Sequence, residues 1–351
     1  MGEYIREVDI RNHNLQCNNL LGLSIAKEFI PSIANTVGTD LRSYKIVKND
    51  QFAYVPVTSR NGEKITVAHY RELNDCIISQ AYTVFEIIKK DELLPDYLML
   101  WFKRPEFDRY ARFKSHGSAR EVFDWNEMCE TIIPVPPIDI QNRIVHQYYA
   151  ITNRIEKNKQ TIEKIEDAAK TLYNKMFVED IAENLPNGWK TSTVGDLCPI
   201  ITGKKDANFG TSDGTYPFFT CAQEPIKAPS YSYDKTAIIL GGNGDFFLRI
   251  YRGKFEAYQR TYILEPNDPN HLFVVYFPMM YSMDKLKKES KGSTISFLTK
   301  GMIEEIPVII PSQDYLSFFN NCILALWENK EKCEQEITLL KDLSSVLLST
   351  M

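Results

Sequence analysis

The feature that most constrains the fold of this chain is a long amphipathic pattern that occurs twice in 351 residues, with Ile144 of the first copy matching Phe319 of the second. The apolar positions advance in alternating steps of four and three, which is the 3.5-residue period of a coiled coil. The predicted seam positions are Ile144, Tyr148, Ile151, Ile155, Asn158, Ile162, Ile165 and Leu172 in the first copy, and Phe319, Ile323, Leu326, Cys333, Ile337, Leu340 and Leu347 in the second. A helix over residues 139–178 would be about 60 Å long. Because no small domain can bury such a helix by itself, the two copies are predicted to pair with each other.

Polar residues interrupt both series at related places. Asn158 interrupts the first copy, and Lys330 and Cys333 interrupt the second, with Cys333 at the position that matches Asn158. A polar residue at such a seam tends to set register and orientation at some cost in stability. The shared register and the matching breaks favour pairing. Two separate amphipathic helices, each packed on its own domain, remain the alternative.

The duplication extends beyond the helices. The displacement along the sequence that matches Ile144 with Phe319 also matches Gly117-Ser118 with Gly292-Ser293, and Val122 with Phe297. The repeat predicts two globular units at residues 1–137 and 181–311, with long helices at 138–180 and 312–351. Strands are predicted at residues 52–57, 77–88, 132–135, 237–240, 246–251 and 261–264, and helices at 95–112 and 272–288. The fold class is therefore α+β, with a pseudo-two-fold duplicated arrangement of mixed α/β domains separated by paired helices.

The charge distribution is uneven. The formal net charge is -5, which by itself disfavours a nucleic-acid partner, since phosphate binding needs a positive face. Residues 103–120 nevertheless carry six basic side chains against two acidic ones, and residues 285–300 are also rich in lysine. Both segments lie around the Gly-Ser pairs, so the sequence predicts one local basic patch in each unit.

Composition and localisation signals point to a cytoplasmic protein. The seven cysteines are far apart and form no Cys-x-x-Cys pair, which is typical of reduced thiols. The first residues have no apolar core for a signal peptide, and no stretch approaches the roughly 20 apolar residues that span a bilayer. We therefore expect a soluble protein with no membrane association.

Motifs of catalysis are missing from the sequence. There is no phosphate-binding Gly-x-x-x-x-Gly-Lys-Ser/Thr loop, no Gly-x-Gly-x-x-Gly fingerprint and no Asn/Asp-Pro-Pro-aromatic segment. The five histidines are isolated from cysteine and carboxylate clusters. Two weak signals stay open: Glu289-Ser290-Lys291 as half of a nuclease site, and Gly241-Gly-Asn-Gly244 as either a phosphate cradle or a hairpin turn.

Taken together, the chain resembles the specificity subunit of type I restriction-modification systems. The resemblance rests on Ile133-Pro-Val-Pro-Pro-Ile-Asp-Ile-Gln-Asn-Arg-Ile144 before a heptad helix ending Leu172-Tyr-Asn-Lys-Met-Phe177, and on Leu185-Pro-Asn-Gly-Trp189 opening the second unit. A degenerate second copy begins at Ile306-Pro-Val-Ile-Ile-Pro311. Two departures are visible: the first unit has no Leu-Pro-x-Gly-Trp opening, and the second copy has no glutamine matching Gln141.

The resemblance implies a function and partners. Each globular unit would be a target recognition domain that reads one half of a bipartite sequence on double-stranded DNA, and the two helices would pair antiparallel as a ruler. The subunit would have no catalysis and no cofactor of its own. It would recruit two modification subunits, which are adenine methyltransferases, and restriction subunits that translocate and cut DNA. S-adenosylmethionine, ATP and Mg²⁺ are expected only on those partner subunits.

The DNA-binding candidates combine the basic patches with polar loops. Basic side chains near the Gly-Ser pairs would hold phosphates, and neighbouring polar groups would read base edges. The candidates are Arg60, Asn61, Arg112, Lys114, Ser118 and Arg120 in the first unit, and Lys204, Lys205, Asn243, Arg249, Lys288, Lys291, Ser293 and Thr294 in the second. Two other classes of function stay open: a scaffold that joins protein partners without DNA, and a metal-dependent nuclease.

Overall fold

The two long helices connect two compact units. One unit comprises Met1–Lys159 and Gln335–Met351, and the other comprises Gln160–Glu334. Each long helix therefore contributes one part to each unit. The computed structural model describes residues 1–33, 38–59, 64–116, 120–179, 185–244, 246–290 and 296–351.

The described part of the first unit combines short strands with helices. Its strands are β1 (Ile5–Val8), β2 (Leu21–Leu23), β3 (Phe29–Pro31), β4 (Lys45–Val47), β5 (Phe52–Tyr54), β6 (Val67–His69), β7 (Cys76–Ile78) and β8 (Thr83–Ile87). Its helices are α1 (Pro95–Lys103), α2 (Pro105–Lys114), α3 (Trp125–Glu130) and the start of α4 (Ile138–Asn174). A short 3₁₀ helix covers Leu41–Ser43.

The central sheet of the first unit has the order β1-β8-β5-β6, and all its neighbouring strands run antiparallel. Successive side chains of a strand point to opposite faces. Phe52 and Phe85 thus face the helices α1 to α3, while Ala53 and Val84 face a smaller core formed with β2, β3, β4 and β7. The sheet is buried on both faces, which explains why the residues of β5 are all apolar or aromatic.

Four predictions for the first unit were wrong in detail, and the first of them is the strand 52–57, which ends at Tyr54 as β5. The predicted helix 95–112 is two helices, because Pro105 forces Arg104 into extended geometry with φ -68° and ψ 134°. The predicted strand 77–88 is two strands, β7 and β8, separated by a turn in which Tyr82 N donates to Ser79 O at 3.1 Å. Residues 132–135 form no strand, because no described segment of this unit pairs with them. The predicted turn at Asn61-Gly62 lies outside the described residues.

The second unit is dominated by longer strands. Its strands are β9 (Lys190–Thr193), β10 (Ile200–Thr202), β11 (Tyr216–Phe219), β12 (Ile226–Ala228), β13 (Tyr233–Gly241), β14 (Leu248–Ala257), β15 (Thr261–Leu264) and β16 (Pro307–Ile310). Its helices are α5 (Val194–Leu197), α6 (Leu272–Glu289), α7 (Lys300–Glu304) and the start of α8 (Gln313–Ser349). Short 3₁₀ helices cover Ala207–Phe209 and Pro269–His271, and a π-helical turn, Lys175–Glu179, continues α4.

The main sheet of this unit, in the order β10-β15-β13-β14-β11-β12, curls back on itself. Backbone bonds join the segment after β10 to the end of β14, with Lys205 N donating to Ala257 O at 3.4 Å. Ile239 and Phe255 face the inside of the curl, whereas Ile238 and Leu240 face α6 and the long helices. β13 and β14 pair antiparallel, so residues 241–244 belong to the connection of a β-hairpin.

The long helices run antiparallel in both units, as predicted. In the first unit Tyr148 and Leu348 share one core, and further along α4 the Nε of Arg154 donates to Glu336 Oε1 at 2.8 Å. In the second unit Lys330 pairs with Glu166 at 2.8 Å, and the rings of Tyr173 and Phe319 lie 6.1 Å apart. As the residue numbers increase along α4, the residues of α8 that they contact decrease in number. Both helices have 37 residues, which is about 55 Å of helix.

The structure places the predicted seam residues on the less exposed face of each helix. Tyr148, Asn158, Phe319 and Ile323 are buried. The remaining seam positions are half-buried: Ile144, Ile151, Ile155, Ile162, Ile165, Leu172, Leu326, Cys333, Ile337, Leu340 and Leu347. Lys330, which interrupts the apolar pattern, is buried and forms an ion pair with Glu166. Its ammonium lies 4.4 Å from the ring centroid of Trp327.

Candidate nucleic-acid interface

Four segments of the second unit meet where the main sheet curls. They are residues 202–205, 241–244, 258–261 and 296–300. Backbone N–H groups join them: Gly203 donates to Thr261 O at 3.0 Å, Gln259 to Lys205 O at 2.9 Å, Gly242 to Arg260 O at 3.0 Å, and Leu298 to Gly242 O at 2.9 Å. Since each segment is bonded to another, they form one surface, which we call the loop platform.

Two glycines allow the segments of the loop platform to approach so closely. A Cβ atom at Gly203 would lie 2.1 Å from the carbonyl oxygen of Ala257, and one at Gly242 would lie 2.6 Å from that of Arg260. Both distances are far below van der Waals contact with backbone atoms that cannot move aside. Glycine is therefore required at these two positions for close backbone approach.

The loop platform encloses a groove of about 390 Å³. Its polar lining consists of Thr202, Asn243, Gln259, Arg260, Thr299 and Lys300. Asn243, oriented so that its Nδ2 donates to Gly242 O at 3.0 Å, accepts a hydrogen bond from Arg260 Nη1, also at 3.0 Å. Amides and hydroxyls can both donate and accept, and arginine donates in a planar fork, so this lining suits the edges of nucleic-acid bases.

The predicted residues of the second unit are only partly brought together. Asn243 lines the groove, Lys204 is exposed on the same platform, and the Lys205 ammonium lies 4.3 Å from the Phe209 ring centroid. Arg249 instead packs over the rings of Phe219 and Phe247 and donates to the Gln223 carbonyl.

The other predicted residues of this unit belong to the region after α6. Lys288 is exposed in the last turn of α6. Lys291, Ser293 and Thr294 lie outside the described residues. Glu289 pairs with Lys285 at 3.9 Å, and the hypothesis of a carboxylate and lysine nuclease site at residues 289–291 includes Lys291, which is outside the described residues.

The first unit shares part of the backbone arrangement of the loop platform. Val122 forms an antiparallel bridge with Val57, and Phe297, its match in the duplication, forms one with Asn243. Val122 also bridges His116. Thr58 is fixed beside Val122, since its N–H donates to Glu121 O at 2.9 Å. The duplication is therefore retained at the base of both candidate interfaces.

Charges in the described part of the first interface are largely compensated. Arg112 forms an ion pair with Glu121, and Lys114 pairs with Glu127 at 3.1 Å. The hydrogen bond that Lys114 donates to the Glu127 carboxylate raises the pKa of Lys114 above its ordinary value. Arg120 is exposed, whereas Arg60, Asn61 and Ser118 lie outside the described residues. Basic residues of the patch predicted at 103–120 thus pair with the carboxylates of Glu121 and Glu127, which follow that segment in the sequence.

Sequence reasoning missed Gln259 and Arg260, whereas Lys300 ends the lysine-rich segment 285–300 that was predicted as a basic patch. Gln259 and Arg260 lie on the short link between β14 and β15, and both are exposed. The available signal was a polar Gln-Arg pair between two predicted strands, which is where a reading loop would be expected. This pair lies outside the two segments around the Gly-Ser pairs for which basic patches were predicted.

A polar contact ties each unit to its long helix. Gln141 is fully buried; its Oε1 accepts from Leu94 N at 2.9 Å and its Nε2 donates to Glu92 O and Pro136 O, each at 2.7 Å. In the second unit Leu316 occupies the matching position, and Asn320, one turn later, donates to Asn270 O at 2.8 Å. The amide contact is thus retained but moved along the helix.

The described residues provide no metal-binding group of three or more histidine, cysteine, aspartate or glutamate side chains. All seven cysteines are free thiols. No helix in the described part of the chain has both the length and the apolar composition to cross a membrane.

Comparison with known proteins assigns the family. Residues 27–167 and 186–322 match the family described as type I restriction modification DNA specificity domain. Over 172 residues, the chain is 39% identical to the type I restriction enzyme EcoDI specificity subunit of Escherichia coli, a region that covers 48% of this chain and 38% of that protein. Over 299 residues it is 22% identical to the MjaIX specificity subunit of Methanocaldococcus jannaschii, covering 75% of this chain and 69% of the relative. The chain thus matches well under half the length of the first relative.

A solved structure shares the fold. The S subunit of a type I restriction-modification system from M. genitalium superposes with a TM-score of 0.56 at 15% identity, covering 98% of this chain and 92% of that one. At this identity the likeness shows the fold alone. The two matched segments fall in the two halves of the duplication and together make up most of the sequence. The resemblance seen in the sequence is therefore confirmed, and the chain belongs to the family of type I restriction-modification DNA specificity domains.

Proposed function

We propose that this chain is the DNA-specificity subunit of a type I restriction-modification complex, in which each unit reads one half of a bipartite target on double-stranded DNA. The observation that carries the proposal is the groove of the loop platform, where Asn243, Gln259 and Arg260 gather on a rigid backbone. These side-chain types make the hydrogen bonds that distinguish bases in the major groove. Lys204, exposed on the same platform, suits a phosphate contact that positions the duplex.

This role assigns a function to each part of the chain. Residues 1–137 and 181–311 act as the two target recognition domains, and residues 138–180 and 312–351 act as the helices that join them. Antiparallel pairing within each unit supports this division, because it lets one chain present both domains from a common pair of helices.

The chain works with partner subunits. Its relatives are named as specificity subunits of type I restriction enzymes, so we infer that it assembles with two modification subunits, which methylate adenine, and with restriction subunits. The chain itself carries out no reaction in this proposal. S-adenosylmethionine, ATP and Mg²⁺ are bound by the partner subunits.

The test is a selection of bound sequences from a randomised duplex library, using the full chain assembled with modification subunits. A motif of two short blocks separated by an unspecified gap is the expected result. A single contiguous motif, or equal binding of all duplexes, would refute the proposal. Loss of DNA binding together with salt-insensitive binding of the modification subunits would favour a scaffold instead.

A matched assay tests the absence of catalysis. The purified chain, free of other subunits, is incubated with duplex DNA, S-adenosylmethionine and Mg²⁺. We expect neither methyl transfer nor strand cleavage. Either activity, if it remained through further purification of the chain, would show that the catalytic assignment to partner subunits is wrong.

A further inference from the structure

The link between β14 and β15 is held in place at each of its three residues. Tyr258 O accepts from Thr261 N at 2.8 Å, Gln259 N donates to Lys205 O at 2.9 Å, and Arg260 O accepts from Gly242 N at 3.0 Å. The link is too short to move independently of the strands it joins. Arg260 therefore projects from a fixed backbone, as a residue that reads a defined position on a ligand must.

The guanidinium of Arg260 is oriented without being neutralised. Its side chain is exposed, and its Nη1 donates to the Asn243 amide oxygen at 3.0 Å. No carboxylate among the described residues lies within 4.0 Å of it, whereas Arg6, Arg112 and Arg154 all pair with glutamates. A neutral partner holds one nitrogen of the planar fork and leaves the full positive charge available.

The surroundings favour a base over a phosphate as the ligand of Arg260. A phosphate only accepts hydrogen bonds, so the carbonyl oxygen of the exposed Gln259 amide beside Arg260 would find no donor on it. Guanine presents two adjacent acceptors, O6 and N7, in the major groove, and arginine binds both with its fork. The exposed ammonium of Lys204 is better suited to the backbone of the same strand.

From this geometry we propose that Arg260 reads a guanine in the half-site recognised by the second unit, and that Asn243 is the residue that positions its guanidinium. The assignment rests on the proposed function, since it names one base of the target that this function requires. Gln259 lies beside Arg260 on the same link and can contact the neighbouring base pair, where its amide matches adenine.

The experiment compares motifs selected from randomised duplexes by the full chain, assembled with modification subunits, and by three variants. Arg260→Gln removes the fork and the charge, Arg260→Lys keeps only the charge, and Lys204→Gln is the matched control on the same platform. Arg260→Gln should lose preference for G·C at one position of one half-site by about 5- to 150-fold, and Arg260→Lys by a smaller factor, because an ammonium can still donate to O6 or N7 but is not held as a planar fork. The other half-site should be unchanged, which also shows that the variants are folded. Lys204→Gln should weaken all sequences alike.

Asn243→Ala is expected to relax the same position by a smaller factor, because the guanidinium is still present but no longer held. Unchanged motifs in both Arg260 variants would overturn the inference while leaving the proposed function intact. Uniform weakening of all sequences by Arg260→Gln, with full rescue by Arg260→Lys, would reassign Arg260 as a phosphate contact. If the unaltered chain shows no sequence preference in either half, the proposed function fails and the assignment fails with it.

Discussion

The side-chain amide of Asn158 on α4 donates a hydrogen bond of 2.8 Å to the carboxylate of Glu336 on α8. Arg154 donates to the same carboxylate through two nitrogens, at 2.8 and 3.0 Å. The polar residue that interrupts the first heptad series is thus matched by a charged group of the opposite helix. Because Asn158 can bind in this way at one register only, the contact selects that register of the antiparallel pair in the first unit.

This contact should depend on pH. The hydrogen bonds from Arg154 and then Asn158 hold the pKa of Glu336 below its ordinary value of 4.5. A carboxyl group whose pKa is depressed in the folded state adds stability above its unfolded pKa and loses it as the pH falls through the folded pKa. Glu336→Gln should therefore lower the melting temperature at pH 7, and the difference from the unaltered chain should shrink below about pH 4.5.

Glu328→Gln is the matched control for this prediction, because Glu328 is exposed on the same helix and has no ion-pair partner among the described residues. It should change the melting temperature little at either pH. A Glu336→Gln difference that stays constant from pH 7 to pH 3 would show that the ionised carboxylate does not stabilise the helix pair.

The two amide contacts between the units and their helices should differ in strength. Among the described residues, Gln141 makes three buried hydrogen bonds, whereas Asn320 makes one and its Oδ1 is buried without a partner. Gln141→Leu, which copies Leu316 of the second unit, should lower the free energy of unfolding by about 3 kcal/mol, since it leaves backbone groups unpaired. Asn320→Leu should cost less than about 1 kcal/mol, because it also removes an unpaired oxygen. Denaturant unfolding of both variants measures the comparison, and equal losses would contradict it.

Surface lysines should contribute to affinity without contributing to specificity. Lys204→Ala and Lys288→Ala should each weaken binding to all duplexes and reduce the slope of log K against log salt by about 0.9, as the loss of one phosphate contact does. Lys332→Ala, an exposed position on α8, serves as the control and should leave the slope unchanged. Binding measured from about 50 to 200 mM salt tests this. An unaltered slope for either variant would remove that lysine from the interface.

Helix length should set the gap between the half-sites. One heptad added after Asn158 in α4 and one added between Gln335 and Glu336 in α8 would keep the seam pattern and lengthen the pair by about 10 Å. At about 3.4 Å per base pair, the gap should grow by about three base pairs while both half-sites stay the same. A methylation map of the assembled complex measures this. An unchanged gap would show that the helices join the domains without measuring the DNA. The same heptad added to α4 alone is the control, and it should impair specific binding because it shifts the seam.

Much of the secondary structure could be predicted from periodicity. The seam pattern predicted α4 and α8, and the apolar runs predicted α6 and β15 close to their observed bounds, whereas β13 begins four residues before its predicted run and β14 ends six residues after its own. The break at Arg104 was also available, since a proline restricts the residue before it. The absence of a strand at residues 132–135 was harder to predict. The matching segment, β16, is a strand because β9 pairs with it, and no described segment of the first unit pairs with residues 132–135.

The sequence by itself determined the two long helices and the duplicated frame, because a 3.5-residue period and matching breaks are local properties that each stretch of chain carries. Only the tertiary structure decided which polar residues meet in the groove. Thr202, Asn243, Arg260 and Lys300 are far apart along the chain, and they converge because the main sheet curls and two glycines allow backbones to touch. The same holds for charge: Arg112 and Lys114 look like a basic patch in sequence, but folding brings Glu121 and Glu127 beside them. Arg260 keeps its charge because the fold gives it an amide as its neighbour instead of a carboxylate.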